Sequence, residues 1–301
     1  MRILMPIDGS THSKAALDFV ASRSTLIESQ PDIELLNVQY PVPSRAARYA
    51  GKELVLSHHQ AEAAKIVKPA LARLKRAGLL ARAESVVGSP GVEVGRIAAE
   101  DAADLVVMGS HGHTGLKNLL FGSVTQSVLA SCQTPVLVLR SETPLNKASL
   151  KIGIALDGSK YGLAAVRFVV KHRVLFGPTP TLTLIHVVPD LLNLRVAGLF
   201  ADAPVPGFKP EQVVEMQRAA FEKAFMPARK LLKAAALQVT EAQLTGNDTG
   251  AVIASYATKN KLDVLAIGSH GQGGFTSTLL GSVATRVTAK CRNALLFIQG
   301  K

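Results

Sequence analysis

Apolar residues recur along the chain in two alternating patterns. Short runs rich in β-branched residues lie at Arg2 to Ile7, Ile33 to Gln39, Arg82 to Val87, Leu105 to Met108 and Val136 to Leu139. Their length and composition predict strands buried on both faces. Between them the apolar positions adopt helical spacing, in Ser13 to Ser22 through Ala16, Leu17 and Val20, and again over His58 to Arg76, Val92 to Ala103 and Val124 to Cys132. Strands alternating with helices predict an α/β fold, a parallel sheet covered by helices on both sides.

The pattern then repeats. Ile3 to Ser10 reappears as Ile152 to Ser159, an interval of 149 residues. Leu105 to Gly112 reappears as Val264 to Gly271, and Phe121 to Val124 as Leu280 to Val283, both at 159. Several matches in one order, with a net insertion between them, indicate a duplicated domain. Even the two cysteines correspond, Cys132 to Cys291. The non-periodic stretch Ser141 to Ser149 reads as a short linker, so we expect one domain over residues 1–143, a second over 149–301, and contact between them.

Composition narrows the class. With 48% hydrophobic and 19% charged residues, each half can bury an ordinary core. Two distant cysteines do not make a disulfide framework, and no stretch approaches the roughly 18 to 20 apolar residues of a membrane helix. The first residues reach Asp8 before any signal-like apolar run, and together these features give a cytoplasmic expectation with no membrane partner. The net charge of +12 is unevenly divided: residues 1–146 hold 15 Lys+Arg against 13 Asp+Glu, so nearly all the excess lies beyond. There the basic residues are scattered rather than gathered into one run with aromatics, which argues for an anion-attracting, solvated face over direct nucleic-acid binding.

The candidate chemistry sits where an open α/β sheet binds ligands, at the carboxyl ends of strands. Asp8 and Asp157 close the first strand of each copy, and Gly109 and Gly268 the fourth. From Gly109 the chain runs Gly-Ser-His-Gly, nine residues, then Gly122-Ser123 opening a helix, and the second copy repeats this spacing from Gly268 to Gly281-Ser282. Glycines let backbone N–H groups approach an anion, and the helix start aims unpaired amides and the positive dipole end at the same place. Phosphate is the natural occupant. No lysine is followed by Ser or Thr, which excludes the P-loop signature, and Asp8-Gly9-Ser10-Thr11 lacks the dinucleotide fingerprint.

These residues resemble the universal stress proteins, in the subset whose ATP motif is Gly, two residues, Gly, nine residues, Gly-Ser or Gly-Thr; both copies match it. The resemblance implies two tandem Rossmann-like domains, each a five-stranded parallel sheet of order 3-2-1-4-5 flanked by helices. It implies ATP, with Mg²⁺ as a candidate companion. Carried across, Pro6, Asp8 and Val38 meet the base or ribose, Met108 and Gly109 line the pocket, and Gly112, Gly122, Ser123 and Val124 bind phosphate. The second-copy matches are Asp157, Val187, Ile267, Gly268, Gly271, Gly281, Ser282 and Val283, with Ala155 in place of Pro6. Asn293-Ala294 replaces Thr134-Pro135 before the fifth strand, which leaves the form of that last turn open. Family members often pair through the sheet edge, so the halves are expected to form an internal pseudo-dimer, and the whole chain a homodimer.

The remaining polar residues carry weaker signals. His111 and His270 read as loop contacts, since no orienting partner for a catalytic base accompanies them. His58 with His59, and His111 with His113, lack a third metal ligand at suitable spacing. His186 reads as a core histidine inside an apolar run, and Cys132 and Cys291 as packing groups near helix ends. Lys117, with Thr276 opposite it, is a candidate phosphate contact. The apolar stretch Pro189 to Pro210 suggests a lid or a partner surface. The favoured function is a nucleotide-responsive stress-response or signalling module with a protein partner. The alternatives are a slow ATPase or nucleotide hydrolase, which lacks visible phosphoryl-transfer machinery, and a scaffold for an acidic partner.

Overall fold

The computed structural model describes residues 1–25, 31–112, 121–191, 209–269 and 280–299. The first copy runs β1 (Arg2–Pro6), α1 (Thr11–Ala21), β2 (Asp32–Gln39), α2 (Ser44–Ala50), α3 (Lys52–Arg76), β3 (Ala81–Val87), α4 (Pro90–Glu100), β4 (Leu105–Gly109), α5 (Ser123–Ser131) and β5 (Val136–Leu139). The second runs β6 (Lys151–Ala155), α6 (Lys160–Lys171), β7 (Thr181–Val188), α7 (Pro210–Ala234), β8 (Val239–Thr245), α8 (Thr249–Lys259), β9 (Val264–Gly268), α9 (Ser282–Lys290) and β10 (Ala294–Ile298). Within each copy the strands are parallel and ordered 3-2-1-4-5. The two sets join through an antiparallel pair, β5 with β10, into one ten-stranded sheet.

Alternation along the strands sends side chains to two layers, each crossing both copies. Ile3, Met5, Ile152 and Ile154 pack under α1, α3, α6 and α7 on one face, and Leu4, Val106, Leu265 and Phe297 under α4, α5, α8 and α9 on the other. The join is further tied by a pseudo-symmetric exchange. Arg140 donates to the Thr288 carbonyl at 2.6 Å, and Gln299, its counterpart 159 residues on, donates to the Leu129 carbonyl at 3.2 Å. The Arg140 guanidinium also lies over the Phe121 ring, which meets Phe297 edge-on at 6.0 Å.

Across the linker the tie is Arg23, whose side chain is fully buried. It donates to the carbonyls of Leu145 and Ala148, each at 3.2 Å, and its guanidinium carbon lies 5.2 Å from the centre of the Phe19 ring. The second copy's last turn keeps its form despite Asn293. The Cys291 thiol donates to Asn293 Oδ1 at 3.2 Å, much as Cys132 meets the Thr134 carbonyl, and the Asn293 amide reaches the Leu262 carbonyl. Both thiols are buried and pushed up by that burial, as packing groups are.

Two features of the frame yield predictions. Helices α4 and α5 cross at Gly91, where a Cβ would collide with the Ser127 side chain and stand 2.8 Å from its carbonyl carbon. Gly91→Ala is expected to cost about 2 kcal/mol by forcing the helices apart; an unchanged urea midpoint would contradict it. Glu34, 4% exposed on β2, shares Arg82 with Asp32 and Asp101. Burial, and after it Asp101, push Glu34 up to about 7 against the opposing pull of Arg82. The folded-state value thus lies above the ordinary 4.5, so the stabilising contribution of this group is complete below that value, falls as pH rises and is lost above about 7. We expect Glu34 to contribute a decline in stability on the order of 1–2 kcal/mol between about pH 4.5 and 7, and Glu34→Gln to remove that contribution; an identical pH profile for the variant over this window in urea titrations would refute it.

Candidate functional site

The repeated Asp-Gly-Ser at each first-strand end is a local folding device. Asp8 Oδ1 accepts from the Ser10 amide at 3.0 Å, Gly9 takes φ +82°, and the Ser10 hydroxyl caps α1 by accepting from the Ser13 amide at 3.2 Å. Asp157, Gly158 and Ser159 do the same for α6, with bonds of 2.9 and 3.2 Å and φ +79°. The turn therefore explains one oxygen of each acid. The other oxygen of Asp8 faces the glycine loop: a Cβ on Gly112 would stand 2.7 Å from Oδ2.

The loop ends are drawn together by the backbone. The Gly122 amide donates to the Ser110 carbonyl at 2.9 Å, and the Gly281 amide to the Ser269 carbonyl at 2.7 Å. Ser110 and Ser269 are fully buried and extend the sheet, their amides reaching the Leu139 and Ile298 carbonyls. Buried Thr125 seals the base by donating to the Gly109 and Ser110 carbonyls at 3.2 and 3.1 Å. Helices α1, α6 and α8 begin with side-chain caps from Ser10, Ser159 and Asp248, whereas α5 and α9 begin from Gly122 and Gly281 with none. Among the described residues no side chain caps the start of α5, and a helix start of this kind can seat a ligand's oxygens. Gly109 has a different reason to be glycine: a Cβ there would lie 2.6 Å from the His12 carbonyl carbon, so α1 itself demands it.

A cavity of about 670 Å³ opens above these ends, within the range of small-molecule sites. All nine first-copy residues singled out from the sequence line it: Pro6, Asp8, Val38, Met108, Gly109, Gly112, Gly122, Ser123 and Val124. Other wall residues escaped the sequence reading. Asn37 donates from Nδ2 to the Ile7 carbonyl at 3.0 Å and accepts from Gln39, which also bonds the His59 carbonyl and meets His59 Nδ1 at 2.6 Å. This chain of bonds fixes α3 against the end of β2, and His58, His59 and Glu62 of α3 form a wall. The histidine pair that makes no metal site by spacing is therefore part of the cavity. His111 also lines it, with Nδ1 2.9 Å from Ser110 Oγ and its ring 5.3 Å from that of His12, which burial and then His111 hold below its ordinary value.

In the second copy Ala155 and Gly268 end β6 and β9, Val187 and Ile267 are buried beside them, and Gly281, Ser282 and Val283 open α9. His186 is a half-buried core residue, edge-on to Phe221 and Phe225, and its Nδ1 lies 2.6 Å from the Leu156 carbonyl. That is the bond Asn37 makes to Ile7 in the first copy. Gly271, His270, Thr276, His113, Lys117 and most of the apolar stretch from Pro189 to Pro210 lie outside the described residues.

Comparison with known proteins gives the family and the fold. The model of the universal stress protein family matches residues 1–140 and again 149–299. A universal stress protein of Mycolicibacterium smegmatis is 25% identical over 99% of this chain and 96% of its own length. One of Methanocaldococcus jannaschii is 47% identical over 55 residues, 18% of this chain and 34% of that protein. A solved universal stress protein from Archaeoglobus fulgidus shares the fold with a TM-score of 0.69 at 20% identity, covering 99% of this chain and 98% of that one. The chain belongs to the universal stress protein family, as a tandem pair of its domains.

Proposed function

We propose that the first copy binds ATP in the cavity above β1, β2 and β4, that the second copy offers a like site, and that occupancy is the state a partner protein reads in a stress response. The observation that carries this is the convergence of nine residues from four separate chain segments on one cavity floored by the uncapped start of α5. Pro6, Val38 and Met108 give apolar walls for a flat base, Asn37 and Gln39 polar edges, Asp8 a carboxylate for a ribose hydroxyl, and the α5 amides a seat for phosphate. Among the described residues no three acidic, histidine or cysteine side chains converge on a metal. Mg²⁺ would arrive with the nucleotide, and Asp8 offers it a carboxylate oxygen that faces Gly112. Because β5 and β10 already pair within the chain, a homodimer must use another surface.

No helix among the described residues is long and apolar enough to cross a membrane. Equilibrium dialysis against radiolabelled ATP tests the reading. Retention competed by unlabelled ATP and not by inorganic phosphate is expected, and no retention at about millimolar nucleotide would refute it.

A further inference from the structure

Beside the nucleotide cavity, and sharing the lining residues Ile7, Asp8, Ser13, Glu62 and Ile66 with it, lies a second cleft of about 560 Å³ between α1 and α3. Its floor is apolar, with Leu17 and Ala70 buried and Ile66 half-buried. Its rim carries four cations, Lys14, Lys65, Arg73 and Arg76, and three carboxylates, Asp8, Asp18 and Glu62. Arg73 is paired with Asp18 and Lys65 with Glu62, but Lys14 and Arg76 enter no ion pair among the described residues. Arg76 makes one hydrogen bond, from Nε to the Ala72 carbonyl at 3.3 Å.

The duplication supplies an internal control. Helices α3 and α7 have the same length, with Pro69 and Pro227 at the same place, 158 residues apart, and α1 corresponds to α6 at an interval of 149. On that register Leu163 stands where the first copy has Lys14, Leu231 where it has Arg73, and Ala234 where it has Arg76. Leu163 and Leu231 are half-buried and packed on the core. The second copy therefore closes this helix pair with apolar contacts, while the first keeps cations around an apolar gap. A departure from the packing rule at one copy alone marks a site.

We propose that the α1–α3 cleft of the first copy binds a small organic anion, an apolar body bearing one carboxylate or phosphate group. The body lies on Leu17, Ile66 and Ala70. Lys14 and the planar fork of Arg76 hold the head group, the guanidinium matching two oxygens at once. The site stands independently of the nucleotide reading.

The test is amide chemical-shift titration of the isotope-labelled full chain with phenyl phosphate, benzoate and benzyl alcohol. Ligands of this size are expected to bind with Kd of about 1 mM. Both anions should shift the amides of Lys14, Leu17, Ile66 and Ala70, benzyl alcohol should not, and the tighter anion names the head group. Lys14→Leu with Arg76→Ala installs the second copy's residues, leaves the Arg73 and Lys65 pairs in place, and should weaken the anions about tenfold or more. The proposal falls if neither anion shifts these amides, if benzyl alcohol does so equally, if the double variant binds as before, or if ATP displaces the anion, which would make the cleft part of the nucleotide cavity.

Discussion

Gly122→Ala is expected to weaken ATP binding at the first copy by about 3 kcal/mol, roughly 100-fold in Kd, with little change in stability. The backbone there is ordinary, φ −63° and ψ 157°, so alanine carries no conformational strain. An added Cβ would lie 3.4 Å from His111 Cα and 3.8 Å from the Gly112 amide, in van der Waals contact but over the mouth of the loop. It takes the space a phosphate oxygen needs to reach the first amides of α5, and losing one or two charge-assisted bonds accounts for the estimate. Isothermal titration beside thermal unfolding separates the effects. An unchanged Kd, or a rise in Kd matched by loss of fold, would refute the role assigned to Gly122.

The second large effect concerns the frame. Arg23→Ala is expected to destabilise the chain by about 3 kcal/mol, from the volume vacated by a fully buried side chain and from the loss of two hydrogen bonds to linker carbonyls. Those carbonyls belong to Leu145 and Ala148, so the loss should fall on the linker and speed limited proteolysis across residues 141–149. Arg23→Met, which fills much of the volume without the bonds, should lie between the two. A urea midpoint for Arg23→Ala equal to that of the parent chain would show that the linker needs no such tie.

The parts legible in the sequence were those whose signal is local or repeated. The apolar runs located β1 to β5 within a residue or two; β1, β4 and β5 are buried on both faces as expected, whereas β3 is an edge strand, largely exposed, in which small and polar residues alternate. The duplication turned a weak Gly-Ser signal into a spacing that converges on one cavity. It also located the extra residues: the register reaches 158 by α7 and 159 only after β8, where Gly246-Asn247-Asp248 replaces Gly88-Ser89 before the helix.

What stayed hidden depends on contacts between distant segments. Helix α2 and the first turns of α3 expose Tyr49, Leu54 and Leu56, so no buried stripe announced them. The wall formed by His58, His59 and Glu62 exists only once α3 folds over the end of β2. Arg23 reads as a surface cation until the linker carbonyls that receive it are seen, and Asn37 and His186 share a role that their side chains do not suggest.

The central claim is most directly tested by the stoichiometry of ATP bound to the parent chain, to Gly122→Ala and to the Gly122→Ala, Gly281→Ala pair, measured by equilibrium dialysis under one condition. The account predicts one ATP at each copy of the parent chain, loss of the first-copy equivalent in the single variant, and loss of both in the pair. Unaltered stoichiometry across the three proteins, each folded by circular dichroism, would contradict it.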